Sequence, residues 1–438
     1  MKMRRVLAAS SVVAVALAVT ACGSASSNNT SSNASGNTAN RASNDGAKEV
    51  EIFSWWTGAG ESDGLKALIK LFKKDYPGYT VINSAVAGGA GSNAKAVLAN
   101  RMQNNNPPDT FQVHVGQELL SWVDAGKMEP LDSLYQQEGW NSKFPKQLID
   151  MVSHDGHKYA VPVDVHRGNV LWYNKKIFDE YHLTPPKTWN DVIQDAKVLK
   201  QHNITPLALG DKDQWETTML WEDILLGQLG AQDYDKLWKG QISFDDPRVK
   251  QSLQTLKDLM SDVNSDHAAK VWQDASQMVA KGTAAMNVMG DWAKGYFTSD
   301  LHLKPNVDFG WTTTPGTEHD FMVIVDCFGL PKGVKHPEGT KDWLKVLGSV
   351  QGQDAFNPLK GSIPARIDAD KSKYDVYSQQ AMTDFKKDQL TPSLAHGAAA
   401  SPGFLDAANK AINQFVNTGD IDTCIQQLQS AFQQNPPV

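Results

Sequence analysis

Apolar positions along the chain recur with two periods. Residues 50–53, Val-Glu-Ile-Phe, read as a strand, and over residues 63–76 Leu65, Leu68, Ile69 and Phe72 recur at helical spacing until Pro77-Gly78 stops the run. Thr80–Asn83 predicts a second strand, Ser92–Gln103 a helix with Ser92 as its cap, residues 109–115 a third strand and residues 118–125 another helix. Strands alternating with helices predict an α/β fold with a mainly parallel sheet, in which ligands sit at the carboxyl ends of strands. Two short stretches fall at such ends: Trp55-Trp56-Thr57-Gly58-Ala59-Gly60-Glu61, and Gln112-Val113-His114. From residue 48 onward the chain exceeds the size at which one core divides, so two domains are expected.

The first 47 residues have a different pattern. Lys2, Arg4 and Arg5 precede an apolar run, residues 6–18, that is too short to span a bilayer and reads as a secretory signal. Its exit, Val19-Thr20-Ala21-Cys22, resembles a bacterial lipobox, which implies removal of residues 1–21 and a lipid on Cys22. Residues 22–47 are Ser, Asn, Thr, Ala and Gly with almost nothing to bury, the composition of a disordered tether. The expected location is therefore the extracytoplasmic face of the cell membrane, with a lipid anchor.

Removing three of the 42 basic residues leaves 39 against 49 acidic ones, a net charge of −10. Such a body lacks the basic footprint of a nucleic-acid binder. No second apolar stretch approaches the length of a membrane span. Cys327 and Cys424 remain, either as one disulfide closing a long loop or as two buried free thiols. The run Gly88-Gly89-Ala90-Gly91 lacks the lysine of a phosphate-binding loop, no Gly-x-Ser-x-Gly elbow occurs, and His154-Asp155-Gly156-His157 reads as a turn between strands. Asp368-Ala369-Asp370 begins like a calcium loop, but Lys373 stands where glycine is needed and Gln379 where the bidentate glutamate belongs. Neither a metal nor a cofactor is expected.

Further along, Tyr159-Ala160-Val161-Pro162, Leu171-Trp172-Tyr173-Asn174-Lys175 and Pro185-Pro186-Lys187-Thr188-Trp189 resemble the crossover segment of extracellular sugar-binding proteins serving ATP-binding-cassette importers. Thr110 to His114, Asn287-Val288-Met289-Gly290-Asp291-Trp292-Ala293 and Phe356-Asn357-Pro358-Leu359-Lys360-Gly361-Ser362 look like the branch that binds glucose and related monosaccharides. The resemblance runs from about Val50 to Phe404. It implies a two-lobe, type II periplasmic-binding-protein clamp, with residues 48–163 and 320–365 in lobe one and 164–319 and 366–438 in lobe two. It also implies a monomer that captures a monosaccharide and presents it to a membrane permease.

A pyranose offers apolar faces and a rim of hydroxyls, so its receptor needs flat aromatics and charged or amide groups. Trp55 and Trp56 supply flat surface and Glu61 a charged acceptor; the structural alternative is one indole facing the core and Glu61 merely favouring a helix start. Gln112 and His114, two apart, share one face of their strand. Asp291 is expected to accept from two neighbouring hydroxyls with Trp292 stacked beside it, Lys360 to donate, and His396 to do either. The resemblance places these in the ligand shell, and His166, Asn169 and either Trp215 or Trp221 complete the candidates. Two readings compete with the monosaccharide receptor: an oligosaccharide receptor of the same class, and a secreted glycoside hydrolase using Glu61 and Asp291.

Overall fold

Three sheets and a two-stranded hairpin, Ser153–His154 with His157–Lys158, organise residues 48–437, the part of the chain that the computed structural model describes. The expected signal, tether and Cys22 lie outside the described residues. In the first sheet Thr80–Asn83, Glu49–Phe53 and Thr110–His114 run parallel. Asp326–Pro331 then lies antiparallel to Thr110–His114, and also pairs with Met128–Glu129 and Ala160–Pro162. The sheet is therefore mixed rather than mainly parallel, because a strand from far down the chain returns in the opposite direction. The second sheet has the order Thr205–Ala208, Ala284–Val288, Val170–Asn174, Phe309–Thr313, antiparallel except in its first pair.

The third sheet joins the other two. Its order is Ile363–Pro364, Asp164–Arg167, Asp320–Ile324, Gln389–Pro392. The chain leaves the first sheet at Ala160–Pro162, passes through Asp164–Arg167 and enters the second sheet at Val170–Asn174; it returns from Phe309–Thr313 through Asp320–Ile324 into Asp326–Pro331.

Helix Ala59–Asp75 starts four residues before the expected Asp63, after an extended Gly58, and buries Leu65, Leu68 and Phe72. It lies against helix Val350–Lys360 so closely that a Cβ on Gly60 would stand 1.9 Å from the Leu359 carbonyl oxygen, and one on Gly64 2.6 Å from the Phe356 ring. Helix Ser92–Gln103 is capped by Gly91 in the left-handed region (φ 77°), not by Ser92. The terminal helices Pro402–Thr418 and Ile421–Gln434 insert Phe404, Ile412, Phe415 and Leu428 into the core of the second sheet. Cys424 lies in that core and Cys327 in the core of the first sheet. The disulfide alternative is thereby corrected: both are buried free thiols, and Cys327 Sγ donates to the Val113 carbonyl (3.1 Å).

Candidate functional site

A cavity of about 290 Å³ opens where strand ends of the first sheet meet the joining sheet and the start of helix Trp215–Trp238. This is close to the lower end of the roughly 300–1,000 Å³ common for small-molecule sites. Trp55 and Trp56 leave their strand in opposite directions, as the period of two demands. Trp55 lines the cavity, its backbone N–H donating to Gln112 Oε1 (3.0 Å) and its ring 5.0 Å from that of His114. Trp56 is corrected to a core residue: its ring packs 4.5 Å from Phe356 and 5.4 Å from Phe328, and it does not line the cavity.

Glu61, in the first turn of its helix, lines the cavity and accepts from Lys360 Nζ at 2.7 Å. Burial alone would lower the Lys360 ammonium pKa, but Glu61, Asp326 and Asp164 outweigh it and raise it, so this buried group is a cation. Its Nζ also stands 5.9 Å from the Trp292 ring centre.

Gln112 is not at the wall. It lies behind it, bridging the Trp55 backbone to Asp326 Oδ1, to which its Nε2 donates at 2.8 Å. Asp326 itself reaches the cavity, paired in register with His114 on the neighbouring strand. His114 also lines it, with Nδ1 2.9 Å from Glu118 Oε2 and Nε2 3.6 Å from Asp326 Oδ1. Burial would push Glu118 up, but Lys95 and His114 hold it at about 2, so it is a fixed anion orienting His114.

His166 lines the floor. Its Nδ1 pairs with Asp291 Oδ1, while Nε2 stands 3.3 Å from Asp164 Oδ2 and 3.9 Å from Asp326 Oδ2. Burial opposes its charge, yet Asp164 and Asp291 push its pKa up to about 9. Asp291, the expected hydroxyl acceptor, is corrected to a supporting role. It is fully buried away from the cavity, and its Oδ2 takes the Arg167 N–H (3.1 Å) and the Tyr377 hydroxyl (3.2 Å). Asn169 is likewise consumed inside the fold, donating to Thr317 and to the Asp320 carbonyl and accepting from the Met322 N–H. Trp221 is a core residue whose Nε1 donates to Ser252 Oγ at 3.0 Å. Of the two candidate tryptophans on that helix, Trp215 and Trp221, it is Trp215 that faces the cavity.

Trp292 and His396 complete the wall with their rings 4.9 Å apart, and Trp215 lies 6.1 Å from Trp292 and 5.3 Å from His396. Burial first, then the His114, Lys95, His166 and Lys360 charges, drive the His396 pKa well below the usual imidazole range, so it is neutral. Among the lining residues that escaped the sequence reading are Asp326, Trp272 and Asp213. Asp326 had a visible signal, a single carboxylate inside the apolar run Met322-Val323-Ile324-Val325-Asp326-Cys327-Phe328. Asp213 accepts the Gly89 N–H (3.2 Å), linking the glycine-rich loop after the first sheet to the turn after a strand of the second. The cavity thus offers indole faces, carboxyl groups at Glu61 and Asp326, a cation at Lys360 and a neutral imidazole.

The chain matches the family described as bacterial extracellular solute-binding protein over residues 58–354. An uncharacterized ABC transporter extracellular-binding protein of Pyrococcus horikoshii is 39% identical over 392 residues, 89% of this chain and 88% of its own. The glucose-binding protein GlcS of Saccharolobus solfataricus is 26% identical over 352 residues, 76% of this chain and 62% of its own. Among solved structures, the bacterial solute receptor AcbH, described as having an exclusive preference for β-D-galactopyranose, shares the fold with a TM-score of 0.79 at 20% identity, covering 89% of this chain and 98% of its own. The two α/β halves joined through a small sheet are the type II clamp of these proteins. The chain belongs to the bacterial extracellular solute-binding protein family.

Proposed function

We propose that this protein captures one monosaccharide, an aldohexose of the glucose class, in the cavity between its halves and presents it unchanged to a membrane permease from a lipid anchor on Cys22. The observation that carries this reading is the cavity itself. About 290 Å³, walled by indoles and by buried groups of fixed polarity, suits a single pyranose ring better than a chain of them. The printed ligands of GlcS and AcbH, glucose and galactopyranose, support the same size class. Closure uses contacts from both halves at once, so sugar lowers the free energy of the closed form relative to the open one. The Gly89–Asp213 hydrogen bond is one such contact.

The hydrolase reading on Glu61 and Asp291 loses its basis, because Asp291 is engaged on both oxygens away from the cavity, and Glu61 is tied to Lys360. Titration calorimetry with glucose, galactose, mannose, xylose and maltose, with chromatography of the recovered sugar, tests the proposal. One-to-one heat with a hexose recovered intact is expected. Heat with maltose alone would replace it by an oligosaccharide receptor, and recovery of cleaved maltose by a hydrolase.

A further inference from the structure

Behind His396 lies a buried carboxylate that touches no part of the cavity. Glu222 sits in helix Trp215–Trp238 with no exposed surface, and its Oε2 accepts from the Leu394 N–H (2.6 Å), the Ala395 N–H (3.1 Å) and the Tyr234 hydroxyl (3.2 Å). Its Oε1 accepts from the Ser393 hydroxyl (2.8 Å). Ser393 Oγ in turn accepts the His396 backbone N–H (3.2 Å) and stands 3.1 Å from His396 Nδ1.

A hydroxyl has one hydrogen to give. With the Ser393 hydrogen given to Glu222, the contact to His396 is a hydrogen bond only when Nδ1 carries the proton. A neutral imidazole has a single ring proton, so Nε2, which makes no hydrogen bond among the described residues, is then a bare acceptor. Elsewhere on the wall Lys360 only donates, whatever stands behind it. His396 could do either, and the groups behind it decide.

We propose that Glu222, acting through Ser393, holds His396 in the Nδ1–H tautomer and so makes it an acceptor that selects a donating ligand group at that point of the cavity. Glu222 is a positioning residue here. The selectivity half of the proposal rests on the sugar-receptor reading; the tautomer half does not. A ligand with fluorine in place of the matching hydroxyl has no hydrogen for Nε2 and leaves it buried and unpaired, the kind of mismatch that polar sites reject most strongly.

Glu222→Gln tests the relay directly. The glutamine carbonyl can keep the three donors now on Oε2, and its amide NH₂ then points at Ser393 Oγ, which releases the Ser393 hydrogen to His396 Nδ1 and moves the ring proton to Nε2. The measurement is the pair of ring ¹⁵N shifts of His396 in sugar-free, histidine-labelled protein in mildly alkaline buffer, assigned by loss of signal in His396→Asn. Wild type should show a protonated Nδ1 and an unprotonated Nε2, Glu222→Gln the reverse, and Ser393→Ala a mixture. A protonated Nε2 in wild type, or shifts that neither variant moves, overturns the proposal. Ser393→Ala carries the test alone should Glu222→Gln fail to fold. With the bound hexose and its monofluorinated analogues, wild type should reject one analogue by at least about tenfold and Glu222→Gln should reduce that ratio to about threefold or less. An unchanged ratio refutes the selectivity half, whereas absence of any sugar binding by wild type, with the shifts as expected, refutes the receptor reading and leaves the relay standing.

Discussion

Replacing Asp326 by asparagine should move binding and stability in opposite directions. Burial and the neighbouring Asp164 carboxylate raise the Asp326 pKa, against the pull of Lys360, His114 and His166. For an acid whose folded value is raised, the associated stability is present at low pH and lost as pH rises through that value, so the charged form costs stability at neutral pH. Asparagine has nearly the same shape, keeps an oxygen for Gln112 Nε2 and removes the charge. The sugar-free variant should therefore melt at or above the wild-type temperature. Binding should suffer. Two sugar hydroxyls donating to a carboxylate contribute about 1.5–3 kcal/mol each, and asparagine retains about one neutral acceptor's worth near 1 kcal/mol. The net loss is about 2–5 kcal/mol, or roughly 30- to 4,000-fold in affinity. Calorimetric titration of the best hexose and scanning calorimetry of the sugar-free protein read both quantities. Affinity within about threefold of wild type would place the sugar away from Asp326. A melting temperature lower by more than about 5 °C, equivalent to a few kcal/mol in a chain of this size, would make Asp326 a stabilising partner of His166 instead.

Three further outcomes follow from the geometry. Trp56→Ala should cost about 3–5 kcal/mol of stability, while Trp56→Phe should leave hexose affinity nearly unchanged; a large affinity loss in the phenylalanine variant would return Trp56 to the ligand shell. The raised His166 pKa, about 9 in the folded protein, means that its contribution to stability is complete below the ordinary imidazole value of about 6.5 and disappears as pH rises through about 9. Melting temperatures from mildly acid to alkaline buffer should show that decline in wild type, and His166→Gln should lack it. Thiol titration should find Cys327 and Cys424 unreactive until the protein is denatured, with no change in mobility on reduction, as two buried free thiols require.

Much of the frame was legible because it depends on local period. The Leu65, Leu68 and Phe72 spacing fixed a helix face, and the alternation of strand and helix placed Trp55 and His114 at strand ends, where the cavity lies. What local pattern left open was decided by partners distant in sequence. Adjacent tryptophans at a strand exit must diverge, and only Phe328 and Phe356 determine that Trp56 is the inward one. Asp291 and Asp326 are equally acidic in sequence, but the His166 ring, the Arg167 N–H and the Tyr377 hydroxyl engage Asp291, while Asp326 lines the cavity. Gln112 was placed on the correct face and still misses the ligand wall, since the antiparallel strand beside it sets Asp326 in front.

The floor of the cavity is also its joint. His166 and Ile324 stand on strands of the sheet through which the chain crosses between halves, and Asp326 and His396 follow closely after two of them. In mechanical terms the load rests directly on the bearing. On the proposed function, a substitution that re-tunes the floor for another sugar would also alter the set of the clamp, so ligand preference and the shape offered to a permease would change together. Residues on the outer wall, such as Trp55 and Glu61, carry no such penalty, and variation toward new sugars has more freedom there than at the floor.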